Sequence, residues 1–254
     1  MKKIKKVLAS TLAVLSGASA LCAPMGAYAD DEISNVIVSE ENELLSNVSG
    51  IGQTVDAWAN NLLSKSTYGK ALSSGTWYND VTDAELLARI IYAENTSDTI
   101  DQIAITWIIV NRKNSSAFPD TYRGVVTQGS GSQFASLNSS NAKDYKNNST
   151  NSGWRHATWL ACAILTTSSE SDYISLFGKP YGISDQLYFS GSNYFYNRCQ
   201  MIGSQLQYNM PSVGYINTYD VVIVGSSLSD SHICTTKTSV NNYKSSTKNI
   251  YFNI

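Results

Sequence analysis

Histidine is nearly missing from this chain: His156 and His232 are the only two, and four cysteines accompany them. Neither type recurs at the ligand spacing of a structural or catalytic zinc site, so no metal is implied, and nothing points to another cofactor. Charge is also scarce, with Asp, Glu, Lys and Arg at 15% and a formal net charge of −2. Without a basic stripe to meet phosphates, nucleic acid is not an expected partner. Beyond the N-terminus no apolar run approaches the ~20 residues needed to span a bilayer.

What is present begins with Met1-Lys-Lys-Ile-Lys-Lys, a basic head, followed by an uncharged stretch from Val7 to Ala23. Ala27-Tyr28-Ala29 then offers small residues where a signal peptidase reads, so residues 1–29 are expected to be a secretory signal cut before Asp30. The shortness of the apolar run and its Ser and Gly residues argue against a membrane anchor, and Leu21 before Cys22 argues against a lipid anchor. Removing Lys2, Lys3, Lys5 and Lys6 and no acid takes the 18 basic residues to 14, against 20 acids. The expectation is an exported monomer without stable membrane insertion, secreted or held in the cell envelope, with one catalytic core. Cys162, Cys199 and Cys234 remain after cleavage. At most one disulfide can form among them, expected between Cys199 and Cys234, while Cys162 reads as a buried small hydrophobe.

Residues 30–79 start acidic and turn rich in Ser, Asn and Gly; they read as an arm or linker with one modest helix marked by Val48, Val55, Trp58, Leu62 and Leu63. The catalytic region is expected over 80–254. Thr82-Asp83-Ala84-Glu85 is a capping box for a helix from about Asp83 to Glu94. A second helix follows from about Thr99 to Arg112, with Ile103, Ala104, Trp107, Ile108 and Asn111 on one stripe. Phe118-Pro119-Asp120 starts a third, ending near Gly129. Residues 129–153, rich in Gly, Ser and Asn, read as loop, and a fourth helix spans about Gly153 to Thr167. Gln186-Leu-Tyr-Phe-Ser, Tyr194-Phe-Tyr and Tyr219-Asp-Val-Val-Ile-Val read as short strands. Helices first and strands later predict an α+β fold with long loops.

Leu87, Ile90, Ile91 and Glu94 fall at i, i+3, i+4 and i+7, so a carboxylate holds the last place of an inward-facing stripe. Burial raises a carboxyl pKa, and an acid still protonated near neutral pH is what a glycosidic oxygen requires of its proton donor. No second acid shares a comparable stripe; Asp144, Asp185 and Asp220 sit in loops.

Ala84-Glu-Leu-Leu-Ala-Arg-Ile-Ile-Tyr-Ala-Glu-Asn, then Val110-Asn111-Arg112, then Phe118-Pro119-Asp120-Thr121 resemble the SleB-like cell wall hydrolases, a family that includes spore cortex-lytic enzymes. The resemblance runs from about Ala84 to Gln128 and more loosely to Asn197. It implies a helix-dominated, lysozyme- or transglycosylase-like domain that cuts peptidoglycan glycan strands between N-acetylmuramic acid and N-acetylglucosamine. It implies Glu94 as the single acid/base and Asn111 as its neighbour, holding the carboxyl or a substrate acetamido group. Gln133-Phe134 resembles a Gly-Gln-Phe piece, with Ser132 in place of Gly. Tyr196-Asn197 resembles a Tyr-Asn-Pro piece with Arg198 in place of Pro, and Tyr188 is the competing alignment. These five residues, with Asn111, are the implied substrate contacts. A lytic transglycosylase is the implied chemistry, with a hydrolytic muramidase as the alternative. Two rivals stand beside it: a cysteine peptidase built on Cys162 and His232, and a non-catalytic carbohydrate-binding surface protein displaying 16 Tyr and five Trp.

Overall fold

A computed structural model describes residues 49–131 and 133–254. The expected signal and its cut before Asp30 lie outside the described residues, as does the acidic start of the arm. Helix α1 (49–64) carries Val55, Ala59, Leu62 and Leu63 into the main hydrophobic core, so this part of the expected linker is structural. The following turn is laced to the rest: Gly69 donates its amide to Glu85 Oε1 at 3.1 Å, and Leu72 to the Lys143 carbonyl at 2.8 Å.

Helix α2 (Asp83–Glu94) is the centre of that core, buried from Ala84 through Ile91. An amphipathic stripe therefore understates it, since helices cover it on several sides. The capping box is half formed. Thr82 Oγ1 accepts from the Glu85 amide at 3.3 Å, but the Glu85 carboxylate turns inward to Arg89 at 2.8 Å. Arg89 is fully buried, and every nitrogen of its guanidinium is bonded, to Glu85 or to the Lys70 and Ala142 carbonyls. A buried charge is tolerable only when satisfied in this way.

Helix α3 (Thr99–Asn114) starts at Asp98, whose carboxylate accepts from the amides of Ile100 and Asp101. The third helix begins later than the sequence implies. Thr121 is its N-cap, and α4 is Tyr122–Thr127. Pro119 instead folds back over the first turn, where a Cβ added to Gly124 would stand 2.7 Å from the proline Cβ. The expected loop between α4 and the fourth helix holds single turns: 3-10 segments at Gln128–Gly131 and Ala135–Asn138, and α5 (Ser140–Lys143). Helix α6 (Ser152–Thr166) packs along α2, and α7 (Glu170–Phe177) follows it.

Two antiparallel sheets complete the fold. The first has strand order β1-β7-β5-β6, from β1 (Tyr188–Gly191), β5 (Tyr219–Val224), β6 (Ser231–Ile233) and β7 (Asn249–Asn253). The second is the meander β2 (Cys199–Ile202), β3 (Gln205–Met210), β4 (Gly214–Asn217). The α+β, helix-dominated expectation holds. Tyr194-Phe-Tyr, expected as a strand, lies in helix α8 (Ser192–Arg198), where Phe195 is buried and stacks on Tyr208 at 4.8 Å. Aromatic β-propensity yields here to tertiary packing. A last helix, α9 (Lys237–Tyr243), closes a smaller core that contains both Cys199 and Cys234. The expected disulfide is absent: both are free, buried thiols in that core.

Candidate active site

The carboxyl of Glu94 ends α2 at the edge of an open cleft of about 260 Å³ lined by Asn95–Ser97, Asn141, Gly191 and 246–249. Glu94 is half-buried as a residue, but its Oε1 is sealed from solvent and has no hydrogen-bond partner. Burial pushes its pKa up to about 7; the Ser136 hydroxyl and amide and the charge of Arg112 oppose the rise, and the charge of Asp101 adds to it. A carboxyl in this setting carries its proton near neutral pH and has one oxygen turned away from water.

The turn after Glu94 is fixed from α3. Asn95 Oδ1 accepts from the amides of Ser97 and Asp98, while its Nδ2 donates to Asp101 Oδ2 at 2.9 Å and to the Thr247 carbonyl at 2.9 Å. Gln102 Nε2 donates to the carbonyls of Asn95 and Gly153, and its Oε1 accepts from His156 Nδ1 at 2.7 Å. Burial lowers the His156 pKa to about 4, so the ring is neutral and its Nδ1–H is the donor. Gly153 starts α6 directly beneath this turn: a Cβ there would sit 1.9 Å from the Thr96 carbonyl oxygen. Across the cleft, Lys248 pairs with Asp98 and donates to the Gly225 carbonyl at 2.6 Å.

Asp101 is the other deeply buried acid near Glu94, and it is saturated. Tyr251 Oη and the Asn249 amide donate to its Oδ1, and the side-chain amides of Asn95 and Asn249 donate to its Oδ2. Burial raises its pKa and these four donors oppose the rise, leaving a fixed carboxyl group with no free oxygen to offer.

Arg112 is buried among Phe118, Phe134 and Phe189, with ring centroids 5.0, 4.9 and 5.7 Å from its guanidinium carbon. Its Nε donates to the Leu187 carbonyl at 2.7 Å, whereas Nη1 is buried and unpaired. Burial lowers its pKa to about 10, against the pull of Tyr188 and Glu94. Ser136 Oγ is likewise buried and unpaired. Three unmatched polar atoms, one acidic, one cationic and one hydroxylic, thus belong to one neighbourhood, an arrangement more typical of functional sites than of structural cores.

The implied substrate contacts distribute differently. Asn111 is directed at a loop: its Nδ2 donates to the Ser184 and Gln186 carbonyls at 3.1 and 3.0 Å, and it does not line the cleft. Phe134 is fully buried against Phe189 and Arg112, supporting the loop that carries Ser136 rather than walling the cleft. Gln133, just before it, is half-buried. Tyr188 stacks on Phe252 and is one of the groups acting on Arg112. Tyr196 lies between Lys237 and Lys244 on α8, and Asn197 is exposed on the same helix; neither lines the Glu94 cleft. Cys162 is buried mid-helix with its pKa pushed up to about 12, and His232 stacks on Tyr243 at 3.7 Å, so a peptidase nucleophile is not assembled. Among the described residues no group of three or more His, Cys, Asp or Glu is placed to hold a metal ion.

Arg112, Asp101 and Ser136 are the residues that sequence reasoning passed over. Asp101 had a signal, since it lies seven residues past Glu94 on the next helix and one turn before Ile105 in an otherwise apolar face. Ser136 had none, because serines crowd that stretch of chain.

Residues 97–205 match the family model described as Cell Wall Hydrolase. No curated protein and no solved structure matches the chain. The matched range takes in Asp101, Arg112 and Ser136, begins three residues after Glu94, and ends at the first residue of β3. The match, over somewhat less than half of the chain, supports a SleB-like cell wall hydrolase domain, and with it an enzyme acting on peptidoglycan in an extracytoplasmic location.

Proposed function

We propose that the protein cleaves the glycan strand between N-acetylmuramic acid and N-acetylglucosamine as a lytic transglycosylase, with Glu94 as its only acid/base. The observation that carries this is the contrast between two buried carboxyls. Glu94 has a sealed, unpaired oxygen and a pKa near 7 beside an open cleft, whereas Asp101 has every oxygen occupied by donors. Among the residues lining the cleft Glu94 is the sole acid. A hydrolase of the usual two-carboxylate kind lacks its partner there.

In the proposed reaction, protonated Glu94 gives its proton to the glycosidic oxygen as the bond to C1 of the muramic acid breaks. The N-acetylglucosamine end leaves with that proton on its hydroxyl. The resulting Glu94 carboxylate draws the proton from the C6 hydroxyl, whose oxygen closes on C1. A 1,6-anhydro end forms, no water is consumed, and Glu94 is again protonated. Arg112 stabilises the carboxylate stage by its charge, and Ser136 orients the carboxyl.

Mass analysis of fragments released from purified peptidoglycan tests this. Anhydro ends are expected; reducing muramic acid ends would replace the proposal with hydrolysis. Glu94→Gln is expected to lower turnover by about a thousandfold. A variant that clears wall suspensions as fast as the parent overturns the assignment.

A further inference from the structure

The meander β2–β3–β4 contains no charged residue in any of its three strands. Its inner face is apolar, with Cys199, Leu206 and Tyr208 buried in the smaller core. Its outer face is set by the register: Gln200 lies opposite Gln207 and Gln207 opposite Asn217, giving one row of amides across all three strands. Asn209 and Tyr215 form the next row, and Tyr215 is half exposed. The amides are already ordered, since Gln207 Nε2 donates to Asn217 Oδ1 at 2.9 Å and Asn217 Nδ2 to the exposed Tyr219 hydroxyl at 3.4 Å.

At one end the row runs out beside a cavity of about 280 Å³ walled by Gln205, Thr218, Tyr219 and Asp220. The backbone is bent here. The pairing of β5 with β7 slips between Tyr219 and Val222, and Asp220 has a φ of 51°, which an L residue adopts only at a cost. That bulge turns the start of β5 away from regular pairing beside the row. None of these residues lines the Glu94 cleft, and β4, β5 and nearly all of β3 lie beyond the family match.

We propose that this face is a second glycan-binding surface, which holds the uncharged sugar backbone of the wall polymer while the Glu94 cleft acts on it elsewhere. Side-chain amides both donate and accept, as hydroxyl and acetamido groups demand, and Tyr215 and Tyr219 offer rings for the apolar faces of pyranoses. Strands about 4.8 Å apart make the three-amide row roughly 10 Å long, comparable to two linked sugar rings. An anionic polymer or lipid surface would find no cation within these strands. A protein partner would find amides where an interface centre is ordinarily aromatic or aliphatic. The identity of the polymer rests on the cell-wall reading of the family; the location of the face does not rest on Glu94.

Retention on purified sacculi, stripped of covalently attached anionic polymers, is measured in full-length Glu94→Gln protein so that binding is not followed by cleavage. Adding Gln207→Ala, Tyr215→Ala and Asn217→Ala is expected to weaken retention about tenfold, the scale of a few lost polar contacts and one ring face. Soluble N-acetylglucosamine tetramer is expected to displace the starting protein. Unchanged retention in the triple variant, or displacement by stem peptides but not by the tetramer, overturns the proposal. Should the triple variant fail to fold, Gln207→Glu, which preserves shape and adds a charge on the row, is expected to show the same weakening, and its indifference overturns the proposal equally. If the parent protein binds sacculi through this face yet releases no fragments, the Glu94 reading alone fails. If it cleaves normally and the variants bind as before, this proposal alone fails.

Discussion

Glu94 Oε1 and Arg112 Nη1 are both shut away from solvent without a hydrogen-bond partner, and each group draws the other toward its charged form. Glu94 nevertheless stays protonated up to about pH 7, because loss of hydration outweighs the guanidinium's attraction. The acid is therefore balanced rather than locked, which suits a group that must both give and take a proton.

The pH dependence follows directly. In the proposed reaction Glu94 donates from its protonated form, so turnover should fall as pH rises through about 7. Stability should move the same way. The folded-state pKa is raised above the unfolded value of 4.5, so the folded chain binds more protons across that window and loses stability as pH climbs from about 4.5 to 7. Glu94→Gln removes this loss and is expected to stabilise the protein at pH 8 by on the order of 2 kcal/mol while changing little at pH 4. Thermal melts of both proteins at the two pH values check the difference.

Arg112→Met keeps an unbranched, polarizable chain among Phe118, Phe134 and Phe189 while deleting the charge. Without the cation the Glu94 pKa rises further, so the alkaline limb of the pH–rate profile should shift to higher pH. The carboxylate stage loses its counter-charge, and the maximal rate should drop about tenfold or more. A profile that keeps its limb in place would remove Arg112 from the site.

Asp101→Asn tests the opposite influence. An amide in place of this carboxylate sets N–H groups against the donors Tyr251, Asn249 and Asn95, and about 2–4 kcal/mol of stability should be lost. Removing the negative charge also takes away one cause of the raised Glu94 pKa. The alkaline limb should then move to lower pH, the reverse of Arg112→Met. Denaturant melts and pH–rate profiles read the two effects separately.

The helical half of the fold was legible because it rests on local signals. The Thr82 cap, the spacing from Leu87 to Glu94 and the apolar face of α6 each specify an element within one or two turns of chain. The same periodicity marked Glu94 as the last residue of an inward-facing stripe, and the resemblance to the SleB-like hydrolases is what made it the proposed acid/base. What was not legible depends on distant chain segments. Helix α8 forms in an aromatic stretch because Phe195 finds Tyr208, and Ser192 Oγ donates to the Ser245 carbonyl at 2.8 Å. The carboxylate of Asp101 meets Asn249 and Tyr251 from the far end of the chain. Arg112 stood at a helix end, where a charged residue ordinarily faces water, and only the convergence of three phenylalanines makes it a buried cation. Asn111, its neighbour, took the family signal although its amide serves a loop.

Gly153 gives the sharpest geometric test of how the catalytic turn is held. A methyl group there would overlap the Thr96 carbonyl oxygen at 1.9 Å, and the obstacle is backbone, which cannot rotate away as a side chain would. Gly153→Ala must therefore push the Asn95–Ser97 turn outward, stretch the Gln102 bond to the Gly153 carbonyl and move the end of α2 with it. Because about 1 Å of misplacement at a reacting group can cost a hundredfold in rate, turnover should fall by at least about tenfold. Gly52→Ala supplies the control: it lies in α1, where the nearest atom to an added Cβ is a leucine methyl at 3.8 Å. That change should raise helix stability by roughly 0.5–1 kcal/mol and leave turnover alone. Equal activity in both variants would show that the turn after Glu94 does not require the close approach of α6.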